Sequence, residues 1–340
     1  MKLVKRDVVN NCCEHNAMEK VLIPGTDLSV SRICLGTGGL GTTVNREDSF
    51  ALLDEYTALG GNFIDTAHVY GNWSSPIPGM SERTIGAWLA ERRCREKVVI
   101  ATKGGHPDIN HMDIPRLSRE EVMSDLHESL ERLGVEHIDL YWLHRDDPSR
   151  PVGEILDTLA EAMDRGLIRW YGLSNWRVHR LREAIEYANK SGFAPPVGSQ
   201  VGWSLADRVL ETLGDPTMLF VDSETRRFHE ETALPLMAYS AQANGFFSGR
   251  YKRSNLGVSD SPVLKWYGTE ENFNRLERAE RLAKELGCTP NQVALAYLIA
   301  QPFPVFPVIF CRTIEQLRDS CGAVNVKITE EQVRYLEAGG

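Results

Sequence analysis

IDLYWLHRDDPSRPVGEILDTLAEAMDRGLIRWYGLSN, residues 138–175, reads as one complete strand-helix-strand unit. Ile138 to Leu143 is a short, mostly apolar run, and Ile168 to Leu173 is a second one containing Trp170 and Tyr171, the composition of buried strands. Between them, Val152, Ile155, Leu156 and Leu159 recur at three and four, so Val152 to Arg165 predicts an amphipathic helix. Gly166 follows where a left-handed cap is expected. Two strands joined by a crossover helix run parallel, because a tight turn can join only antiparallel ones.

Outward from this unit the alternation continues in both directions. The candidate strands are Arg32 to Leu35, Asn62 to Asp65, Val98 to Thr102, Ile138 to Leu143, Ile168 to Leu173, Val197 to Val201, Leu236 to Ser240 and Val305 to Ile309. Helical periodicity marks Glu47 to Leu59, Ser118 to Leu133, Arg177 to Asn189 and Asn274 to Leu286, with Ser118 and Glu121 forming a capping box and Gly134 closing that helix. Eight strands alternating with helices, with no linker between, predict an α/β fold of one domain, a (β/α)8 TIM barrel over residues 21–340 after a polar N-terminal extension, 1–20. The stretch from Gly202 to Arg226 shows neither period and reads as a loop over the barrel mouth.

Composition fits. The 340 residues are 42% hydrophobic and 25% charged, enough to bury a large core. A net charge of -9 with scattered basic residues opposes a nucleic-acid partner. Residues 1–20 lack the apolar core of a secretory signal, and no run of about 18 apolar residues suggests a membrane span, so a cytoplasmic location is expected. The seven cysteines are odd in number and lack C-x-x-C spacing, which predicts free thiols; the adjacent Cys12 and Cys13 are given no role.

Active sites of such barrels lie at the C-terminal ends of the strands. Asp65 closes the second predicted strand, Lys103 follows the third, His144 the fourth, and Ser174 with Asn175 the fifth. Four successive strand ends thus direct polar groups at one opening. Gly36, Gly38 and Gly41 also spell G-x-G-x-x-G, but residues 42–46 read as loop rather than a helix start, which disfavours a dinucleotide fingerprint.

The stretch GNFIDTAHVYG (61–71), with Ser81-Glu82 and Gly86, resembles the aldo-keto reductase signature. Ala101-Thr102-Lys103, Asp139 to His144, Gly172 to Trp176, Tyr239-Ser240, Gly245 to Tyr251 and Arg312 to Leu317 extend the resemblance over about residues 21 to 330. The resemblance implies a nicotinamide-dependent oxidoreductase that interconverts a carbonyl (aldehyde, ketone or sugar) and an alcohol. It implies a catalytic tetrad in which Tyr70 donates the proton, Lys103 lowers the cost of the phenolate, Asp65 holds Lys103 and His144 orients the substrate oxygen. It places Gly36 and Thr37 beside the cofactor, Ser174, Asn175 and Gln200 on the nicotinamide amide, Tyr239 against its ring, Ser240, Gly249 and Arg250 at the pyrophosphate, and Arg312, Gln316 and Ser320 at the adenine end. Because the Arg312 guanidinium suits a 2'-phosphate, NADP(H) is favoured, with NAD(H) the alternative.

The chain departs from the family pattern at Phe310-Cys311, where Gly-Ala is usual, at Ser320 for Asn, and at Ala241-Gln242 for Pro-Leu. Residues 71–80 are also longer than the family's link. Trp73, Trp176 and Trp203 are candidate substrate contacts, and His106, Arg145, Asp146 and Asp147 nearby suggest a hydroxylated substrate such as a sugar. Two rival readings are a cofactor-binding regulatory homologue and a metal-dependent barrel hydrolase using His144, Asp146 and Asp65; the latter lacks paired-His spacing, and no metal is expected.

Overall fold

The computed structural model describes residues 18–257 and 259–338; Cys12, Cys13 and residues 1–17 of the predicted extension lie outside them. Strands β1 (Lys20–Leu22) and β2 (Ser29–Ser31) pair antiparallel as a hairpin. β3 (Cys34–Gly36), β4 (Phe63–Asp65), β5 (Val99–Gly104), β6 (Ile138–Leu143), β7 (Ile168–Ser174), β8 (Ser199–Gly202), β9 (Leu236–Tyr239) and β10 (Val305–Ile309) close a barrel. Every neighbouring pair of these eight is parallel, and β10 closes against β3. The eight strands read from the sequence are therefore the eight strands of the barrel, and the protein is a single-domain (β/α)8 fold.

Because successive side chains of a strand point to opposite faces, each strand feeds two apolar layers. Cys34, Phe63, Ala101, Leu140, Trp142, Met237 and Phe306 fill the interior, joined by Ile23, Leu28 and Val30 from the hairpin region. Leu35, Ile64, Ile100, Tyr141, Leu143, Tyr171 and Leu173 face outward and pack under the helices. Trp142 occupies much of the interior below the mouth, and a Cβ on Gly172 would come within 2.2 Å of its ring. Glycine there makes room for the indole.

The Ser118 capping box forms as expected, and Gly134 and Gly166 take positive φ after their helices. Residues 202–226 are irregular apart from a turn at Leu210–Thr212, but the helix Ser223–Thr232 begins inside that stretch, where Asp222 accepts from the Thr225 amide. Further helices are Met80–Arg92, Pro262–Tyr267, Pro290–Ile299, Ile314–Cys321 and Glu330–Ala338. Met18 is buried and Lys20 opens β1, so the fold includes residues that the sequence assigns to the N-terminal extension. Among the described residues no helix is long and apolar enough to cross a membrane.

Candidate active site

Two residues beyond the interior layer, the same inward face reaches the mouth. Cys34 leads to Gly36, Phe63 to Asp65, Ala101 to Lys103, Trp142 to His144, Gly172 to Ser174 and Met237 to Tyr239. Alternation alone thus gathers these residues on one rung.

Lys103 is buried, and its Nζ donates to Asp65 Oδ2 at 2.5 Å, to the Thr66 carbonyl at 2.7 Å and to Tyr70 Oη at 3.2 Å. The second carboxylate oxygen of Asp65 accepts from Gln200 Nε2 at 3.0 Å. Burial alone would push the Lys103 ammonium down, but the Asp65 carboxylate and the Tyr70 phenol more than offset this and hold it above the ordinary lysine value. The cation therefore persists at neutral pH against the tyrosine. Tyr70 lies on the loop after β4, its ring 5.8 Å from the His144 ring.

His144 is held well below the usual imidazole range by burial, then by the nearby Arg145 charge, with Lys103 adding to it. It is neutral at physiological pH. Its Nδ1 is buried with no partner, and its side chain makes no hydrogen bond among the described residues. His106 stacks edge-on at 4.7 Å, itself pushed down to about 4 by burial and by Arg145.

Ser174, Asn175 and Tyr239 form an internal web. Ser174 Oγ donates to the Gln200 carbonyl at 2.9 Å, Asn175 Nδ2 donates to the His144 carbonyl at 3.2 Å, and Tyr239 Oη donates to Asn175 Oδ1 at 2.8 Å. Thr37 is buried, donating to the Asp65 carbonyl. After β9 the backbone is left-handed at Ser240, Ala243, Asn244, Gly245 and Gly249. Within this segment the amides of Ala243, Gly245, Phe246 and Ser248 donate to the carbonyls of Ser240, Gln242, Ala243 and Gly245. Arg250 and Arg312 are exposed cations with no ion pair among the described residues, and Gln316 Oε1 accepts from the Arg312 amide at 2.9 Å. An unpartnered neutral imidazole and two guanidinium groups without an ion pair among the described residues suit a polyanionic, aromatic cofactor.

Ser320 departs from that pattern: it is buried, its hydroxyl taken by Gln242 Nε2 at 2.9 Å and Asn291 Nδ2 at 3.1 Å. Gln242 Oε1 accepts from the Phe310 amide at 2.8 Å. Gln242 is a residue that sequence reasoning named only as a departure; its partners lie 68 and 78 positions away, so no local pattern reports the contact.

Of the three tryptophans, only Trp73 stands at the mouth with an open face, its ring 5.7 Å from that of Tyr70. Trp176 is buried under the Arg180 guanidinium, and Trp203 is buried and stacked on Phe303. The polar neighbours are spent as well. Arg145 binds Asp215 at 2.7 Å and Thr217 at 2.8 Å, Asp146 binds Arg180 at 3.0 Å, and Asp147 accepts from Ser149 at 2.6 Å. Asp65 and Asp146 face different cations, so they do not converge with His144 into the cation site of the hydrolase reading, and among the described residues no three His, Cys, Asp or Glu side chains do so.

A parallel eight-stranded barrel whose mouth joins a buried lysine, a carboxylate, a tyrosine and a neutral histidine defines a class of oxidoreductases. The model of the Aldo/keto reductase family matches residues 32–339. The uncharacterized oxidoreductase YrpG of Bacillus subtilis is 34% identical over 324 residues, covering 94% of this chain and 95% of that protein. The NADP(+) aryl-alcohol dehydrogenase of Phanerodontia chrysosporium is 28% identical, covering 93% and 84%. A crystal structure of the thermostable aldo-keto reductase Tm1743 with the inhibitor epalrestat matches with a TM-score of 0.70 at 28% identity, covering 95% of this chain and all of that one. The chain belongs to the aldo/keto reductase family.

Proposed function

We propose that the chain reduces small-molecule carbonyls to alcohols, or runs the reverse, with NADP(H) favoured and with Tyr70, Lys103, Asp65 and His144 as its catalytic group. The observation that carries this reading is the buried Lys103 ammonium shared between Asp65 at 2.5 Å and Tyr70 at 3.2 Å. A bound nicotinamide supplies the hydride. As the carbonyl oxygen gains charge, Tyr70 gives it the phenolic proton, and the Lys103 cation stabilises the phenolate left behind. Asp65, itself fixed by Gln200, keeps Lys103 in place. His144 acts as a neutral imidazole: it can donate one hydrogen bond to the substrate oxygen without competing with Tyr70 as an acid. Ser174, Asn175, Gln200 and Tyr239 would hold the nicotinamide, Gly36 and Thr37 border it, Ser240, Gly249 and Arg250 border the pyrophosphate, and Arg312 with Gln316 would meet the 2'-phosphate.

The test is Tyr70→Phe, assayed by loss of NADPH absorbance with a panel of aldehydes and by cofactor fluorescence titration. Turnover should fall at least about a hundredfold, with the NADPH Kd within about twofold. Turnover that survives the substitution removes Tyr70 from the chemistry.

A further inference from the structure

We propose that the buried ion pair of Glu82 and Arg132, which stands between two helices outside the barrel wall, positions Tyr70 against Lys103. It does so by tying the loop that carries the tyrosine to the strand that carries the lysine. The proposal rests on the reductase reading of the mouth and adds two positioning residues to it. Tyr70 stands on residues 66–79, between β4 and the helix Met80–Arg92. Its own backbone is lightly held: the amide donates to the Ala67 carbonyl at 3.0 Å within the same loop, and the carbonyl accepts from the Ser81 amide at 3.4 Å, near the limit of a hydrogen bond.

Arg132, on the helix Arg119–Leu133, grips this loop on both sides of Tyr70. Its guanidinium donates to the His68 carbonyl at 3.1 Å, and it lies so close to Gly79 that a Cβ there would come within 2.5 Å of it. The His68 amide in turn donates to the Lys103 carbonyl at 2.9 Å. Glu82 supplies the link to the strand. One of its oxygens accepts from Arg132 at 3.3 Å and the other from Thr102 Oγ1 at 2.6 Å. Thr102 precedes Lys103 on β5, so its side chain faces outward to the helices where that of Lys103 faces inward to the mouth. Glycine lets the helices meet: a Cβ on Gly86, one turn after Glu82, would come within 2.3 Å of the Arg132 carbonyl oxygen. The side chains of Arg132, Glu82 and Thr102 are all buried. A buried ion pair seldom adds net stability over an apolar pair of the same size, because desolvation offsets the attraction, but its hydrogen bonds fix direction and distance. The distance fixed here is the 3.2 Å between Lys103 Nζ and Tyr70 Oη.

Arg132→Met alone would strand a buried carboxylate, so the variant to make is Glu82→Gln/Arg132→Met, which removes both charges and leaves Thr102 an acceptor. Rates are read from NADPH absorbance with the fastest-reduced of propanal, benzaldehyde and glyceraldehyde, and the NADPH Kd from fluorescence titration. Displacing a reacting group by about 1 Å can cost about a hundredfold, so kcat should fall at least about tenfold, with the aldehyde KM and the NADPH Kd within about twofold. In the Tyr70→Phe chain the same double change should cost less than about twofold, because a pair that acts through the phenol has nothing left to position. Arg119→Met, which removes an exposed ion pair from the same helix, should leave kcat within about twofold of the parent. Should the double variant not fold, Arg132→Lys takes its place, with a loss of at least about threefold that again vanishes in the Tyr70→Phe chain. An unchanged kcat, a loss as large without the phenol as with it, or an equal loss in Arg119→Met overturns the proposal. A parent that reduces no aldehyde, or a Tyr70→Phe chain as active as the parent, removes the reductase reading itself, and this proposal with it.

Discussion

Replacing Lys103 with Met isolates what the buried ion pair does. The substitution keeps the length of the stem but removes the ammonium, leaving the Asp65 carboxylate buried with only Gln200 Nε2, at 3.0 Å, to satisfy it. Removing one partner of a buried pair typically costs about 3–5 kcal/mol, because the remaining charge is desolvated without compensation. The retained Gln200 hydrogen bond puts the expected loss near about 3 kcal/mol. Replacing Asp65 with Asn in the same chain removes the stranded charge, so the double variant Asp65→Asn/Lys103→Met should recover most of that stability. A cycle of urea midpoints at constant m therefore gives a coupling of roughly 2 kcal/mol or more between the two positions. Turnover follows a different rule. Both single variants and the double variant should lose at least about a hundredfold in kcat, since none leaves an ammonium properly held against Tyr70. Additive stability losses across the cycle, or a Lys103→Met enzyme within about tenfold of the parent, would refute the assignment of this pair to the proton donor.

Three further outcomes are expected. Arg312→Ala should raise the Kd for NADPH by at least about tenfold and that for NADH by less than about twofold, measured by fluorescence titration; an equal loss removes the phosphate contact. Gln242→Leu should leave the Phe310 amide without its acceptor and cost about 1–3 kcal/mol, read as a drop in the urea midpoint, and a midpoint unchanged from the parent would show that the bridge contributes nothing. Stability should also fall with acid: His106 and His229 are each pushed down to about 4, chiefly by burial, while the unfolded chain takes up the same protons near pH 6.5. The folded state is thus fully favoured above about pH 6.5 and loses ground as pH falls toward about 4. Going from about pH 7 to about pH 5 costs roughly 2 kcal/mol per histidine. His106→Gln should shrink the decline by about that amount, and an undiminished decline would mean that His106 is not held neutral.

The barrel is legible because its strands are buried on both faces and appear as short apolar runs alternating with helical periods, and because several runs lead into a polar residue of the inward register. Asp65, Lys103, His144 and Ser174 continue that alternation, so the sequence that makes the core also places the mouth. Two of the helices that escaped reading carry no clear apolar stripe. Pro290–Ile299 is apolar on nearly every side and buried, so no amphipathic stripe marks it as a helix. Met80–Arg92 hides because its buried face includes Ser81, Glu82 and Thr84, with Glu82 paired to Arg132 and accepting from Thr102. Trp176 and Trp203 were expected at the mouth because tryptophan composition carries no information about which face a ring presents; cation stacking by Arg180 and the Phe303 ring take both inward.

The departures from the family pattern, separate in sequence, are one arrangement in space. A glycine at position 310 would permit positive φ, and Phe310 forgoes that freedom: neither it nor Cys311 adopts a left-handed conformation. Its amide instead meets Gln242, which stands where the family usually has leucine, and the other end of the same carboxamide meets Ser320, which stands where asparagine is usual. The Phe310 ring in turn lies so close to the loop after β3 that a Cβ on Gly39 would come within 2.6 Å of it. A side chain and a ring thus fix the path that backbone freedom would otherwise set. The consequence is that changes at 242, 310 and 320 are coupled. Gln242→Leu alone would take the carboxamide partner from both the Phe310 amide and the Ser320 hydroxyl, whereas Phe310→Gly keeps that amide and removes only the ring packed against Gly39.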